Sequence, residues 1–193
     1  DAGAGSLRDA INLANATVGV DTIAFAIGAG PVTISPLTVL PKILDTAIID
    51  GTTQPGFAGT PLVTLDGALR LFNGVHVSAG NSIVRGLAIT RFGFNGIEID
   101  AAGGNVITGN VVTGNADKGI DVNTSNNRIG GSTAAERNVI SGNTNYGVDL
   151  GNGATGNQVL GNHIGTDSAG SISVPNGRYG VRIVDSHSNT IGG

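Results

Sequence analysis

Four acidic residues stand at related places in a repeated sequence pattern and could together do chemistry. Glu98, Asp121 and Asp149 each lie between two aliphatic residues, and Asp100 follows two residues after Glu98. If the segments that contain them are neighbouring β-strands, the three carboxylates lie about 5 Å apart along one face. Such a row could ligate Ca²⁺, which favours several oxygen ligands. It could instead supply the paired acids of glycoside hydrolysis.

A structural interpretation of the same row stays open beside these two. Charged residues on the outer face of a sheet are commonly solvated and discourage aggregation. Tyr146 and Tyr179, like Lys118, precede the glycine of their repeat. Two stacked tyrosines could form a platform for a sugar ring, or they could pack the corner of the fold.

The acidic row belongs to an internal repeat that begins near residue 74. Each repeat opens with a glycine, an aliphatic residue, a variable residue and a second aliphatic residue, at 74–77, 96–99, 119–122, 147–150 and 180–183. This alternation is typical of a short β-strand with its aliphatic residues inward. Two more short strand patterns follow, and the extra residues of the longer repeats are confined to 130–137 and 167–176. Insertions confined to corners indicate a solenoid.

Asparagine recurs at the predicted corners. Asparagine and glycine tolerate left-handed backbone conformations, and stacked asparagine side chains can hydrogen-bond from one coil to the next. We therefore predict one structural ladder of Asn81, Asn105, Asn127, Asn157 and Asn189. A second ladder would contain Asn110, Asn138 and Asn162.

These patterns predict an all-β fold, a right-handed parallel β-helix with three short strands per coil, in a single domain over residues 1–193. Residues 6–16 have a capping-box start and helical spacing of apolar residues, so they predict a short N-terminal capping helix. We expect irregular first coils over 17–73 and regular repeats over 74–193, with the last coil incomplete.

Composition excludes several kinds of partner. The net charge is −4 and no cluster of lysine and arginine exists, so we expect no nucleic-acid partner. The apolar runs are too short to predict a membrane span. Cysteine is absent, which excludes disulfides and thiolate metal sites. No cofactor is predicted apart from the Ca²⁺ considered above.

Several segments resemble a known group of proteins. Residues 5–12 read Gly-Ser-Leu-Arg-Asp-Ala-Ile-Asn, residues 21–25 read Asp-Thr-Ile-Ala-Phe, and residues 49–56 read Ile-Asp-Gly-Thr-Thr-Gln-Pro-Gly. With the Asn-Thr-Ile-Gly-Gly block at 189–193, they make the whole chain resemble bacterial secreted β-helix proteins of the CSLREA type, in the wider pectate-lyase-like superfamily. Gly-Ser stands here in place of the Cys-Ser of that name. The resemblance implies an exported, surface-attached or adhesive protein, and some superfamily members are polysaccharide lyases or hydrolases.

The Gly-His-Gly and Asp-Asp motifs of β-helix polygalacturonases are missing. We therefore expect an extracellular or cell-surface structural or adhesive solenoid, a repeat segment of a larger surface protein or a filament subunit, rather than an enzyme. The alternative is a protein that binds or degrades polysaccharide, as a lyase or glycoside hydrolase, with Glu98, Asp121 and Asp149 as candidate catalytic residues and Glu98, Asp100, Asp121 and Asp149 as candidate Ca²⁺ ligands.

Self-association is a further expectation. The last repeat reaches residues 189–193 without its third strand. Such an edge would offer unpaired backbone groups to another chain or to further sequence. End-to-end contacts that do not close produce filaments.

Overall fold

The computed structural model describes residues 3–192, in which eighteen short β-strands wind into about six coils. In chain order the strands are β1 (Asp21–Ala24) and β2 (Val32–Ile34) in the first coil; β3 (Ala47–Asp50), β4 (Val63–Asp66) and β5 (Val75–Val77) in the second; β6 (Ile83–Arg85), β7 (Leu87–Thr90) and β8 (Ile97–Ile99) in the third; β9 (Val106–Thr108), β10 (Val111–Thr113) and β11 (Ile120–Val122) in the fourth; β12 (Arg128–Gly130), β13 (Val139–Ser141) and β14 (Tyr146–Leu150) in the fifth; β15 (Gln158–Leu160), β16 (His163–Ile164) and β17 (Tyr179–Ile183) in the sixth; and finally β18 (Thr190–Gly192).

The strands pair in parallel with their equivalents in neighbouring coils and form three sheets. Sheet A is β1-β3-β6-β9-β12-β15-β18, sheet B is β2-β4-β7-β10-β13-β16, and sheet C is β5-β8-β11-β14-β17. The predicted all-β parallel solenoid is therefore confirmed. Strands β1 to β4 pair in register with later strands, so the stack begins well before residue 74.

Helix α1 (Leu7–Ala16) covers the first coil. The Ser6 hydroxyl caps it by accepting a hydrogen bond from the Asp9 N–H at 3.1 Å, and the Asp9 carboxylate accepts one from the Gly5 N–H at 3.2 Å. The buried face of the helix, which includes Ile11, packs on the same aliphatic core that fills the coils. Amphipathic spacing thus lets a helix close a core that strands alone would leave open.

A column of glycines explains why each repeat opens with that residue. Gly74, Gly119 and Gly147 lie just before strands of sheet C, each against the backbone of the next coil. A Cβ atom at these positions would lie only 2.5 Å, 2.6 Å and 2.5 Å, respectively, from the carbonyl oxygen of the next glycine in the column. Side chains are therefore excluded, and the coils approach closely enough for the adjacent aliphatic residues to be fully buried.

Asparagine side chains connect the coils at the corner before sheet A. The Asn127 amide donates to Asn157 Oδ1 at 2.9 Å, and Asn127 Oδ1 accepts from the Asn105 N–H at 2.9 Å. The Asn157 N–H in turn donates to Asn189 Oδ1 at 2.8 Å. Each side chain satisfies a backbone N–H of the preceding coil, which is a group that no strand pairing reaches.

The first member of this ladder is Ser82, so the prediction of Asn81 was wrong by one residue. The Ser82 N–H donates to Asn105 Oδ1 at 2.9 Å, and Ser82 Oγ accepts from the Ala47 N–H at 3.1 Å. A ladder that began at Asn81 would require Ile83 to pair with the inward Ile107, but in the observed register Val84 is its partner. Because side chains alternate between faces, that shift of one residue moves Asn81 off the ladder.

Asn81 instead has a left-handed backbone with φ of 56°. It opens a column of such residues at the position before the ladder, namely Gly104, Asn126, Gly156 and Ser188. The sharp corner therefore needs one left-handed residue per coil, and asparagine is among the few residues besides glycine that accept this conformation readily.

Two more ladders run along the solenoid. Asn110, Asn138 and Asn162 stack before sheet B, with each Oδ1 accepting from the backbone N–H of the preceding coil at 2.9–3.1 Å. Asn115, Asn143 and Asn176 form a third ladder after sheet B, which the sequence analysis missed. All but Asn162 are buried.

Replacing Asn127 with alanine should lower the free energy of unfolding by about 1–3 kcal/mol, because buried backbone and side-chain groups lose their partners. Urea unfolding measures the loss. Asn123→Ala is the matched control in the same turn between β11 and β12, since its side chain accepts one exposed hydrogen bond, from Asn152, and we expect a change within about 0.5 kcal/mol. Equal losses in the two variants would contradict the structural role of the ladder.

Candidate functional site

The outward face of sheet C carries five polar side chains in one row. Register pairs bring together equivalent positions of β5, β8, β11, β14 and β17, which are occupied by His76, Glu98, Asp121, Asp149 and Arg182. The structure therefore places Glu98, Asp121 and Asp149 on adjacent strands of one face. They nevertheless divide into two groups with different partners.

The first group is an ion-pair network around Asp149. Arg182 binds the Asp149 carboxylate with two nitrogens, at 2.7 Å and 2.5 Å. The Lys118 ammonium lies 2.9 Å from Asp149 and 3.0 Å from Asp121. Asp149 is only 1% exposed and Asp121 only 6%. The interpretation of this row as a solvated face was therefore wrong at these two positions, since the cations cover the carboxylates.

The network fixes the ionisation of Asp149. Burial alone would raise the pKa of its carboxyl, but the hydrogen bonds from Arg182 and Lys118 outweigh burial and hold that pKa below its ordinary value. Burial would likewise lower the pKa of Lys118, and its hydrogen bonds to the two aspartates keep it raised instead. Asp149 and Lys118 are thus both held in their charged forms.

One acceptor of this network is unused. Asp121 Oδ2 lies near the Asn95 amide and Lys118, whereas Asp121 Oδ1 is buried with no hydrogen-bond partner within residues 3–192. Leaving a buried acceptor unpaired costs about 1–3 kcal/mol. The charge of Lys118 offsets part of this cost, since it lies beside the same carboxylate.

The second group is a cluster of His76, Glu98 and Asp100. His76 Nε2 lies 2.7 Å from Asp100 Oδ2, and His76 Nδ1 lies 3.9 Å from Glu98 Oε2. The Ser78 hydroxyl donates to Asp100 Oδ1, and the Asn73 amide donates to Glu98 Oε2. Burial would raise the pKa of Asp100, but hydrogen bonds from Ser78, His76 and Lys42 keep it lowered.

An aromatic pair lies at the other end of the face. The rings of Tyr146 and Tyr179 are stacked, with centroids 5.7 Å apart and planes 7° from parallel. The Arg182 guanidinium lies 4.3 Å from the centroid of the Tyr146 ring, which is cation–π geometry. Tyr146 is buried, whereas Tyr179 is 58% exposed.

Comparison with family models matches residues 68–193 to the right-handed beta helix region. The chain belongs to this family. Comparison with curated proteins and with solved structures gives no match. The match covers more than half of the chain and includes both groups on sheet C, and it assigns a fold rather than an activity.

The chemistry available to this β-helix follows from the two groups. A general acid needs a carboxyl with a raised pKa, whereas the pKa values of Asp149 and Asp100 are both lowered. Asp100 accepts from both Ser78 and His76, so the histidine does not bridge serine and aspartate as a catalytic triad requires. Asp149 and Asp100 therefore do not suit the role of general acid, and Ser78, His76 and Asp100 do not form a triad.

Sequence reasoning found the row but missed its partners. His76 occupies the repeat position that is acidic in the next three coils, and Lys118 lies just before the glycine of its repeat, but the repeat pattern did not indicate that either would pair with the acidic residues. No sequence pattern indicated that Lys42 would contact Asp100, because it lies 58 residues before Asp100 in the chain.

Among residues 3–192, the ten-residue α1 is too short to cross a membrane.

Replacing Asp149 with asparagine should lower the free energy of unfolding by about 3 kcal/mol at neutral pH, because two cations lose a buried carboxylate. A lowered pKa in the folded state means that this contribution is complete above the ordinary aspartate pKa and disappears as pH falls through the lowered value. The difference between wild type and variant should therefore shrink in acid, as measured by urea unfolding across pH.

Asp185→Asn is the control, since Asp185 is exposed beyond β17. A difference for Asp149→Asn that did not change with pH, or an equal loss in Asp185→Asn, would refute the ion-pair account.

Proposed function

We propose that this β-helix is an extracellular structural or adhesive solenoid rather than an enzyme. The observation that carries the proposal is the ion pairing of Asp149 by Arg182 and Lys118. Asp149, one of the candidate catalytic residues, is held charged by these two cations, so it stabilises the face instead of exchanging protons.

Secretion and a bacterial cell-surface location are part of the proposal. Their support is the resemblance of residues 5–12 and 49–56 to CSLREA-type exported proteins. The absence of cysteine is compatible with an oxidising environment, since no thiol could be oxidised. End-to-end association into filaments stays a prediction for the same protein.

The purified chain should release neither reducing ends nor unsaturated products from a panel of acidic and neutral polysaccharides, in calcium or in EDTA. The pKa values of Asp149 and Asp100 are lowered, which is the wrong direction for a general acid, so we expect no turnover. Product release that is lost in Asp149→Asn or Glu98→Gln would show that the face is catalytic and would overturn the proposal.

A second candidate function, polysaccharide binding without cleavage, is favoured by one observation. Tyr179 is 58% exposed, and its ring stacks on that of Tyr146, over which the Arg182 guanidinium lies. A rigid, exposed aromatic face suits stacking against the apolar face of a sugar ring. The polar row that continues from it could then accept or donate hydrogen bonds to hydroxyl groups.

If polysaccharide binds there, Tyr179→Ala should weaken retention on the immobilised polysaccharide by about tenfold, equivalent to about 1.4 kcal/mol. Affinity electrophoresis in polysaccharide gels measures the change. Phe94→Ala removes another exposed aromatic residue, in the turn before β8, and should leave retention unchanged. Equal retention of wild type and Tyr179→Ala would remove the aromatic platform as a binding site.

A further inference from the structure

The cluster of His76, Glu98 and Asp100 brings two kinds of ligand atom to one point. His76 and Glu98 are register partners on β5 and β8, and Asp100 follows β8 directly. One nitrogen or oxygen from each residue lies within 4.8 Å of the others. Asp100 lies at His76 Nε2 and Glu98 lies nearer Nδ1, and an imidazole ligates one cation through one nitrogen. Rotation of one carboxylate towards the other would therefore let all three residues close around one small cation.

Neighbouring groups hold both carboxylates in place. Ser78 donates to Asp100 Oδ1, which leaves Oδ2 directed towards His76 Nε2. Asn73 donates to Glu98 Oε2. Metal sites are commonly supported by outer-shell hydrogen bonds that orient their ligands, and this cluster has such a bond on each carboxylate.

The charge around the cluster also suits a cation. Within residues 3–192 no lysine or arginine lies at salt-bridge distance from Glu98. Lys42 lies 3.2 Å from Asp100 Oδ2, but its side chain is 49% exposed, so it can move into solvent at little cost. Asp121 and Asp149 differ in this respect. The Lys118 side chain beside Asp121 is mostly covered, and Arg182 binds the Asp149 carboxylate with two nitrogens.

We propose that His76, Glu98 and Asp100 bind a divalent first-row transition metal, of the Zn²⁺ class, on the outer face of sheet C. An imidazole with two carboxylates suits Zn²⁺, Ni²⁺ or Mn²⁺, whereas Ca²⁺ prefers an all-oxygen shell of six to eight ligands. Lys42 leaves Asp100 when the metal binds, and water completes the coordination. This site differs from the predicted Ca²⁺ row, since Asp121 and Asp149 take no part in it.

The test is isothermal titration of the EDTA-stripped chain with ZnCl₂, MnCl₂ and CaCl₂ in separate experiments, with a thermal melt for each. One Zn²⁺ should bind per chain at micromolar concentration and raise the melting temperature. Mn²⁺ should bind more weakly than Zn²⁺, in the usual order of affinity, and Ca²⁺ should show no saturable binding at these concentrations. No saturable Zn²⁺ binding below millimolar concentration would overturn the proposal.

Variants locate the site. His76→Gln should weaken Zn²⁺ binding by more than about tenfold. Loss of an outer-shell group alone typically costs about that much, and His76 is a direct ligand. Ser78→Ala, which removes an outer-shell bond to Asp100, should weaken binding by about tenfold. His163→Gln on β16 of sheet B is the matched control and should bind as wild type does.

If His76→Gln fails to fold by circular dichroism, Zn²⁺-induced shifts of the imidazole NMR signals in the wild-type chain replace it. Perturbation of the His76 ring, with His163 and His187 unchanged, supports the site. Binding that survives in a folded His76→Gln variant, or NMR shifts confined to His163 or His187, would refute it.

Discussion

The structure depends on hydrogen bonds between asparagine side chains and the backbone of the neighbouring coil. Strand pairing satisfies the backbone groups along the short strands, but at the corners only part of the backbone pairs directly with the neighbouring coil. At these corners asparagine Oδ1 atoms accept from backbone N–H groups one coil away, as Asn138 and Asn143 do at 2.9 Å and 3.1 Å. An amide serves this purpose because it can accept from one coil and donate to the next at the same time. The ladders thus continue at the corners the pairing that the sheets provide elsewhere.

This constraint also explains how the repeats vary in length. Asn105 and Asn127 are 22 residues apart, whereas Asn110 and Asn138 are 28 residues apart, yet both pairs make equivalent bonds. The additional residues leave the stack as the loop around the 3₁₀ turn Ala134–Glu136. Because the ladder sets the register on each side of a loop, the row on sheet C stays aligned over five strands.

The sequence predicted the parts of the fold that repeat. Glycine before each strand of sheet C and alternating aliphatic residues predict the coils, because close approach and burial act alike in every coil. It misplaced Asn81, since only the observed register shows that Ser82 takes the ladder position. A hydroxyl can replace the amide there, and no sequence pattern for asparagine would find it.

The polar groups on sheet C were harder to predict from the sequence than the fold. Outward position in a strand was predicted for Glu98, Asp121 and Asp149, but burial of Asp149 depends on the long side chains of Lys118 and Arg182, which reach across coils. The His76 cluster likewise needs Asp100, whose place just after β8 is set by the turn. Contacts between coils of different sequence cannot be read from a repeat, because they depend on which residues differ between coils.

Amide hydrogen exchange of individual ladder residues tests the central claim most directly. Backbone N–H groups of Asn105, Asn127, Asn138 and Asn143 donate to side-chain oxygens rather than to a strand. If the ladders hold the coils together, these amides should exchange as slowly as the strand amide of Ile129, with which they would open cooperatively. Rapid exchange of the ladder amides beside a protected Ile129 would show that the sheets stand without the ladders and would contradict the account.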